Sequence, residues 1–181
     1  VRQVEFKSKP FIINNWTILK LPKSASIKLP SRGQVMVKGT MNGQPLQTAL
    51  EPDGDGSHWF RIDRHVQKAA GIIVGDVATL TIEPTKDWPE PDIPADIQAA
   101  LHAHPRAQVV WNDVTPMARW EWIRWINSTK EPATRARRIE VSCSKLMAGT
   151  RRPCCFNRNM CCVPEVSKNG VLLARPSLKD Q

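Results

Sequence analysis

Through the first 84 positions, apolar residues recur with the period of two that a pleated strand imposes. Phe11-Ile12-Ile13 and Trp16-Thr17-Ile18-Leu19 are β-branched or aromatic runs, closed by Leu21-Pro22, a poor place for a central strand to continue. Gln34 to Thr40 alternates polar with apolar, Asn42-Gly43 is a strong two-residue hairpin signal, and Leu46 to Leu50 alternates on the return. Asp53-Gly54-Asp55-Gly56 makes another turn and His58 to Ile62 another strand. Asp63 then caps a short helix through Ala70 that Gly71 stops, and Val77 to Ile82 forms the last strand. Five or six short strands and one small helix predict a small closed β-barrel over residues 1–84, because closure removes exposed edges.

Residues 85–94 hold Pro84's successors Pro89, Pro91 and Pro94 among acidic residues, the composition of a stiff linker. Beyond it the period changes to that of helices. Ile97, Leu101 and His104 share one face, and Thr115-Pro116 supplies a cap followed by a first-turn proline for a helix to about Asn127. On that helix Met117, Trp120 and Ile123 form one stripe and Trp122, Trp125 and Ile126 cover the rest. Only a narrow polar strip at Glu121 and Arg124 is left. A third helix runs from Pro132 to Gly149 along an Ala136, Ile139, Cys143, Leu146 seam. The expected fold class is therefore α+β: a closed barrel followed by a three-helix segment over 95–153, then an irregular cysteine-containing tail over 154–181.

Composition changes this picture in three ways. Forty-one per cent hydrophobic and 24% charged residues is globular, not disordered, usage. No run approaches 18 apolar residues and Val1 to Glu5 lacks a signal-peptide apolar stretch, so a soluble cytoplasmic protein is expected. The net charge is +9. Residues 1–90 carry 12 basic against 9 acidic groups, a net +3, and residues 91–181 carry 14 against 8, a net +6. A basic surface attracts phosphates or acidic lipids in a salt-dependent way, so an anionic partner, a protein partner or nucleic acid is expected.

Specific residues carry a resemblance. Ile93-Pro94-Ala95-Asp96, Thr115-Pro116 with Trp120, Trp122-Ile123-Arg124-Trp125-Ile126, Pro132 to Ile139 and Gly149 to Pro153 resemble the helical domain of the bacteriocin-protection family, also called YdeI or OmpD-associated. Leu29-Pro30, Val35 to Thr40, Asn42-Gly43, Gly54-Asp55-Gly56 and Gly75-Asp76-Val77 resemble the domain of unknown function that commonly precedes it. The resemblance implies a split, AbrB-like barrel and a part in tolerance of antimicrobial peptides. It brings no catalytic residues.

The binding expectation rests on Arg124, Arg135, Arg137, Arg138, Arg151 and Arg152 as a basic face, with a solvated helix surface as the plain alternative. Trp120, Trp122 and Trp125 could form a stacking or ligand platform, yet such a stripe is more often core. Cys154, Cys155, Cys161 and Cys162 invite zinc, but adjacent cysteines do not fit the usual ligand spacing, and disulfide, redox-sensing or inert thiols compete with it. Asp53 to Gly56 lacks the twelfth-position glutamate of a calcium loop and reads as a turn. No phosphate loop, nucleophile elbow or metalloprotease motif occurs, and no cofactor is called for. The function expected is a non-enzymatic binding or stress-tolerance protein. The alternatives are nucleic-acid binding, or a small-molecule enzyme with a pocket at the junction of barrel and helices.

Overall fold

The computed structural model describes residues 3–153, 163, 166–168 and 171–173. They fall into two compact units that divide after Asp87, with residues 166–168 and 171–173 belonging to the first.

The first unit is an antiparallel sheet of seven strands: β1 (Val4–Ser8), β2 (Phe11–Ile13), β3 (Trp16–Lys20), β4 (Val35–Met41), β5 (Gln44–Pro52), β6 (His58–Arg61) and β7 (Ala78–Pro84). Their order across the sheet is β1-β7-β4-β5-β6-β3-β2. Strand β5 turns the sheet on itself: Gln44 to Leu50 pair with β4, whereas Glu51 and Pro52 pair with Trp59 and His58 of β6. The inner face packs Val4, Leu19, Val37, Leu50, Phe60 and Leu80 into one apolar core. That burial is the main favourable term holding the unit together.

The ladder does not close. Among the described residues β1 and β2 remain the two outer strands, so the unit is a half-barrel and the expected closed barrel is corrected. Only Lys9 and Pro10 separate β1 from β2, and Pro10 has no N–H to give to a ladder. A side chain ties the two halves instead, Ser8 Oγ donating to the Lys20 carbonyl at 2.6 Å. Strand β1 itself was absent from the sequence expectation, although buried Val4 and Phe6 alternate with exposed Glu5 and Lys7.

Asn42 and Gly43 sit at φ 48° and 80°, the left-handed pair of a type I′ turn, between strands that pair through Met41 and Gln44. Gly39 is required for a different reason. A side chain there would collide with the Thr81 backbone where β7 runs beside β4. Two short helices complete the unit, α1 (Lys23–Ser26) and α2 (Arg64–Ala69). Asp63 holds the N-cap position of α2 but makes no side-chain cap bond, contrary to expectation. Strands β8 (Ser167–Lys168) and β9 (Val171–Leu172) form a separate pair, and Leu172 N–H donates to the Asp53 carbonyl at 2.8 Å.

Among its described residues the second unit contains four helices where three were expected: α3 (Ala95–Ala103), α4 (Pro105–Asp113), α5 (Pro116–Asn127) and α6 (Pro132–Met147). The additional element is α4. Pro105 ends the preceding helix and starts a new one from its first position, where a missing N–H costs nothing. Ile97, Leu101, Trp111, Trp122, Ile126, Cys143 and Leu146 converge in the core. Thr115 caps α5, its Oγ1 accepting from Ala118 N–H at 3.3 Å. Among the described residues no helix is long and apolar enough to cross a membrane.

Candidate functional site

The arginines expected to form a basic face are mostly drawn into the helical unit. Arg124 is only 4% exposed and is engaged with other groups. Arg135 grips Asp96 through Nε (2.6 Å) and Nη2 (3.0 Å), and donates from Nη1 to Asn127 Oδ1 at 2.6 Å. That guanidinium holds the Asp96 carboxyl below the usual carboxylate range, against a smaller opposing effect of burial. Arg138 donates to the Trp125 carbonyl (2.8 Å) and to Ser128 Oγ (2.6 Å), and its guanidinium lies 5.7 Å from the centroid of the Trp125 ring. Arg151 pairs with Asp113 Oδ2 at 2.6 Å and donates to the Asp113 carbonyl at 2.8 Å. Arg152 pairs with Glu121 at 2.8 Å. Among the described residues, Arg137 alone of the six is exposed and without such a partner.

The contacts of Arg138 and Arg151 with backbone carbonyls share a physical cause. The last turn of a helix leaves carbonyls without partners and a partial negative charge. Helix α4 carries no basic residue in its own last turn. Cations from elsewhere reach it: Arg119 Nη1 donates to the Trp111 (2.8 Å) and Val114 (2.7 Å) carbonyls while Arg151 takes the Asp113 carbonyl. Arg119 is fixed in turn by a two-point pair with Glu90, at 2.9 and 2.7 Å. Arg138 performs the same office at the end of α5.

The tryptophans are correspondingly structural in placement. Trp122 is fully buried, with its Nε1–H donating to the Arg151 carbonyl at 3.3 Å. Trp120 and Trp125 are half-buried. Trp120 packs edge-on against Trp88 and donates to the Pro89 carbonyl at 2.8 Å, so part of the proline-rich stretch expected as a linker is docked on α5. The expected polar strip of α5 is inverted: Glu121 and Arg124 are buried while Trp120 and Trp125 keep partial exposure. Cys154, Cys155, Cys161 and Cys162 lie outside the described residues. Among those described, no cluster of His, Cys, Asp and Glu could hold a metal, and Cys143 is a buried free thiol whose pKa burial pushes up.

Uncommitted positive charge lies instead on the half-barrel. Lys20, Lys23 and Lys38 pair with Asp53, Asp55 and Glu83, and Arg61 stacks 4.4 Å from the Trp16 centroid. Lys7, Lys9, Lys28, Arg32, Arg64, Lys68 and Lys86 are exposed without such partners among the described residues. In the helical unit only Arg106, Lys130 and Arg137 are in that condition, and Asp92, Glu131 and Glu140 balance them in number.

One of the free cations, Arg32, borders a concavity beside α1 together with the paired Lys23. A cavity of about 480 Å³ is lined by Lys23, Arg32, Ser31, Ser26, Asp55 and Gly56, among others. Ser26 is 4% exposed and its Oγ lies 2.6 Å from Nδ1 of buried His58, whose Nε2 lies 2.8 Å from the Gly33 carbonyl oxygen. Burial pushes the His58 pKa below the ordinary histidine value, more strongly than Gly33, Asp53 and Glu51 raise it. Asp53, wholly buried beside this ring, accepts from the Asp55 and Ser57 N–H groups at 2.8 Å each and pairs with Lys20 at 2.8 Å. Burial raises its carboxyl pKa, but Lys20 and the two amides prevail and hold it below the usual value. The Asp53 to Gly56 turn is thus built around an internal carboxylate. No motif announced this cluster. A histidine in register with Phe60 and Ile62 on an inward-facing strand was its only sequence signal.

Comparison with known proteins agrees with this division. Residues 3–82 match a domain of unknown function, DUF1905, and residues 90–149 match the family described as bacteriocin-protection, YdeI or OmpD-associated. No curated protein matches the chain. The chain thus carries, over residues 90–149, a helical domain of the bacteriocin-protection, YdeI or OmpD-associated family behind a DUF1905 domain.

Proposed function

We propose that this protein contributes to tolerance of bacteriocins by binding an anionic partner through the half-barrel, not through the arginine-rich helices. The observation that carries this reading is the disposition of free charge. Seven exposed cations of the first unit have no ion-pair partner among the described residues, whereas six of the eight arginines of the second are engaged. An arginine already holding its acceptors must break those bonds before it can contact a ligand, and so binds weakly. A free lysine or arginine on a solvated surface has only its hydration to exchange, and it draws anions over a distance set by ionic strength. The family description supports protection as the biological role. A net positive chain repels a cationic peptide, which favours an indirect role through an anionic component over capture of such a peptide.

The test is retention of the full chain on an immobilised polyanion such as heparin, followed by survival of bacteriocin-challenged cells carrying the same variants. Replacing Lys28, Arg32, Arg64 and Lys68 together by Ala is expected to lower the eluting salt concentration and to reduce survival, while Arg137→Ala changes neither. Equal losses from both, or none from the quadruple variant, would return the binding face to the helices or remove it.

A further inference from the structure

The Ser26, His58 and Gly33 contacts fix the direction of every proton in the array. A backbone carbonyl can only accept, so the Gly33 oxygen at 2.8 Å places the ring proton on His58 Nε2. A neutral imidazole then offers its lone pair at Nδ1, and the Ser26 hydroxyl, 2.6 Å away, is the donor. The hydroxyl proton is thereby directed at a base, which leaves the oxygen's lone pairs as what it can present elsewhere. Ser26 is also part of the lining of the 480 Å³ cavity, whose other members include two cations, Lys23 and Arg32. Lys23 is held by Asp55, while Arg32 has no ion pair among the described residues. A hydroxyl oriented by an imidazole, an imidazole oriented by an acceptor on its far nitrogen, and a cation beside a cavity are the parts an activated nucleophile requires.

We propose that Ser26 is a nucleophile toward small carboxylic esters, with His58 as its general base and Arg32 as the cation facing the developing oxyanion. In the first step Ser26 Oγ attacks the ester carbonyl carbon and its proton passes to His58 Nδ1, while Nε2–H stays on the Gly33 carbonyl. The tetrahedral intermediate collapses with cleavage of the carbon–oxygen bond, and the departing alkoxide takes the proton from Nδ1. Water, activated by the same nitrogen, then hydrolyses the acyl-Ser26 ester and regenerates the hydroxyl, so one ester and one water give one acid and one alcohol. A ring held neutral by burial is a weak base, which suits activated esters over amides. The proposal goes beyond binding of an anionic partner and does not depend on it: it is read by chemistry on the isolated chain, whereas binding is read by salt-dependent retention.

The experiment treats the full chain with a fluorophosphonate probe, followed by intact mass and peptide mapping, and measures hydrolysis of p-nitrophenyl acetate. A single adduct on Ser26 is expected, absent in Ser26→Ala. Adduct formation should slow by roughly a hundredfold in His58→Gln and severalfold in Arg32→Ala, an exposed change that leaves thermal stability intact. Ester turnover should fall with acidity as the ring protonates. Mapping on the unaltered chain keeps the test decisive if Ser26→Ala does not fold. Absence of an adduct, an adduct on another residue, or ester hydrolysis equal in the unaltered chain and Arg32→Ala would overturn the assignment and leave the Ser26–His58 bond as a fastening between α1 and β6.

Discussion

The half-barrel and the helical unit use charge in opposite ways. Over the described residues up to Asp87 there are 11 basic and 8 acidic side chains, and from Trp88 to Pro153 there are 10 and 7, so these two stretches carry the same formal excess of +3. In the half-barrel four of the 11 cations are held in ion pairs or on a ring. In the helical unit Arg119, Arg124, Arg135, Arg138, Lys145, Arg151 and Arg152 are all engaged. A sheet satisfies its own backbone through its ladder and has little use for side-chain donors. Short helices end often, and each end needs donors for its last carbonyls. Net charge therefore says little about where a protein presents a charged face.

Several substitutions would break or sharpen that contrast. The largest effect is expected from the apolar core of the helical unit. Trp122→Ala removes a fully buried ring and should cost about 3–5 kcal/mol in denaturant unfolding. Trp120→Ala, half-exposed, should cost clearly less; an equal loss would mean that its N–H bond to Pro89 and its contact with Trp88 matter as much as burial.

Next in size come the arginines that close helix ends. Arg138→Met and Arg119→Met each strand carbonyls and should lower stability by roughly 1–3 kcal/mol. Because the bonds to the Trp111, Val114 and Trp125 carbonyls are partly buried, most of the loss should persist in high salt, whereas the contribution of an exposed ion pair shrinks. Loss of less than about 0.5 kcal/mol in unfolding measurements would put both arginines back among candidates for ligand contact.

A smaller effect should appear with pH and only in the half-barrel. The folded His58 pKa lies below its ordinary value, so the unfolded chain takes up the proton first as pH falls. Stability from this group is fully present above about pH 6.5 and declines below it, down to the folded pKa. Asp53 adds a second loss further into acid, below the ordinary carboxylate value, as its pairing with Lys20 is protonated away. His58→Gln should flatten the first decline in thermal melts recorded from pH 7 to 5. A melt profile unchanged by that substitution would separate the ring from the acid sensitivity.

The smallest effects on stability belong to the free cations. Arg32→Ala and Arg137→Ala should each change unfolding free energy by less than about 0.5 kcal/mol. They should differ in function, since only Arg32 belongs to the group proposed to contact an anion.

Much of the local structure was legible along the chain. Asn42-Gly43 gave a hairpin because two left-handed residues in sequence have few other uses, and Thr115-Pro116 marked the start of α5 because cap and first-turn proline act within one turn. Helix α4 was hidden, although Pro105 was in plain view, since Ala107 and Trp111 are too few to establish a period. The polar strip of α5 was misjudged because its partner is distant: Arg152, which pairs with Glu121, lies more than thirty residues away. The same distance concealed the cavity cluster, where Ser26 and His58 are 32 residues apart and match no motif.

The sequence by itself determined an α+β chain with a strand-rich first part, a helical second part, a positive excess in each and the family model that each part matches. It did so because periodicity, caps and turns are short-range and read in one dimension. Tertiary structure decided three matters. The sheet stops at a half-barrel, Arg119, Arg138 and Arg151 close helix ends, and a serine held by a buried imidazole lines a cavity that Arg32 borders. Each depends on which acceptor a distant donor meets, and a hydrogen bond acts only over about 3 Å, a separation that folding sets and spacing along the chain does not.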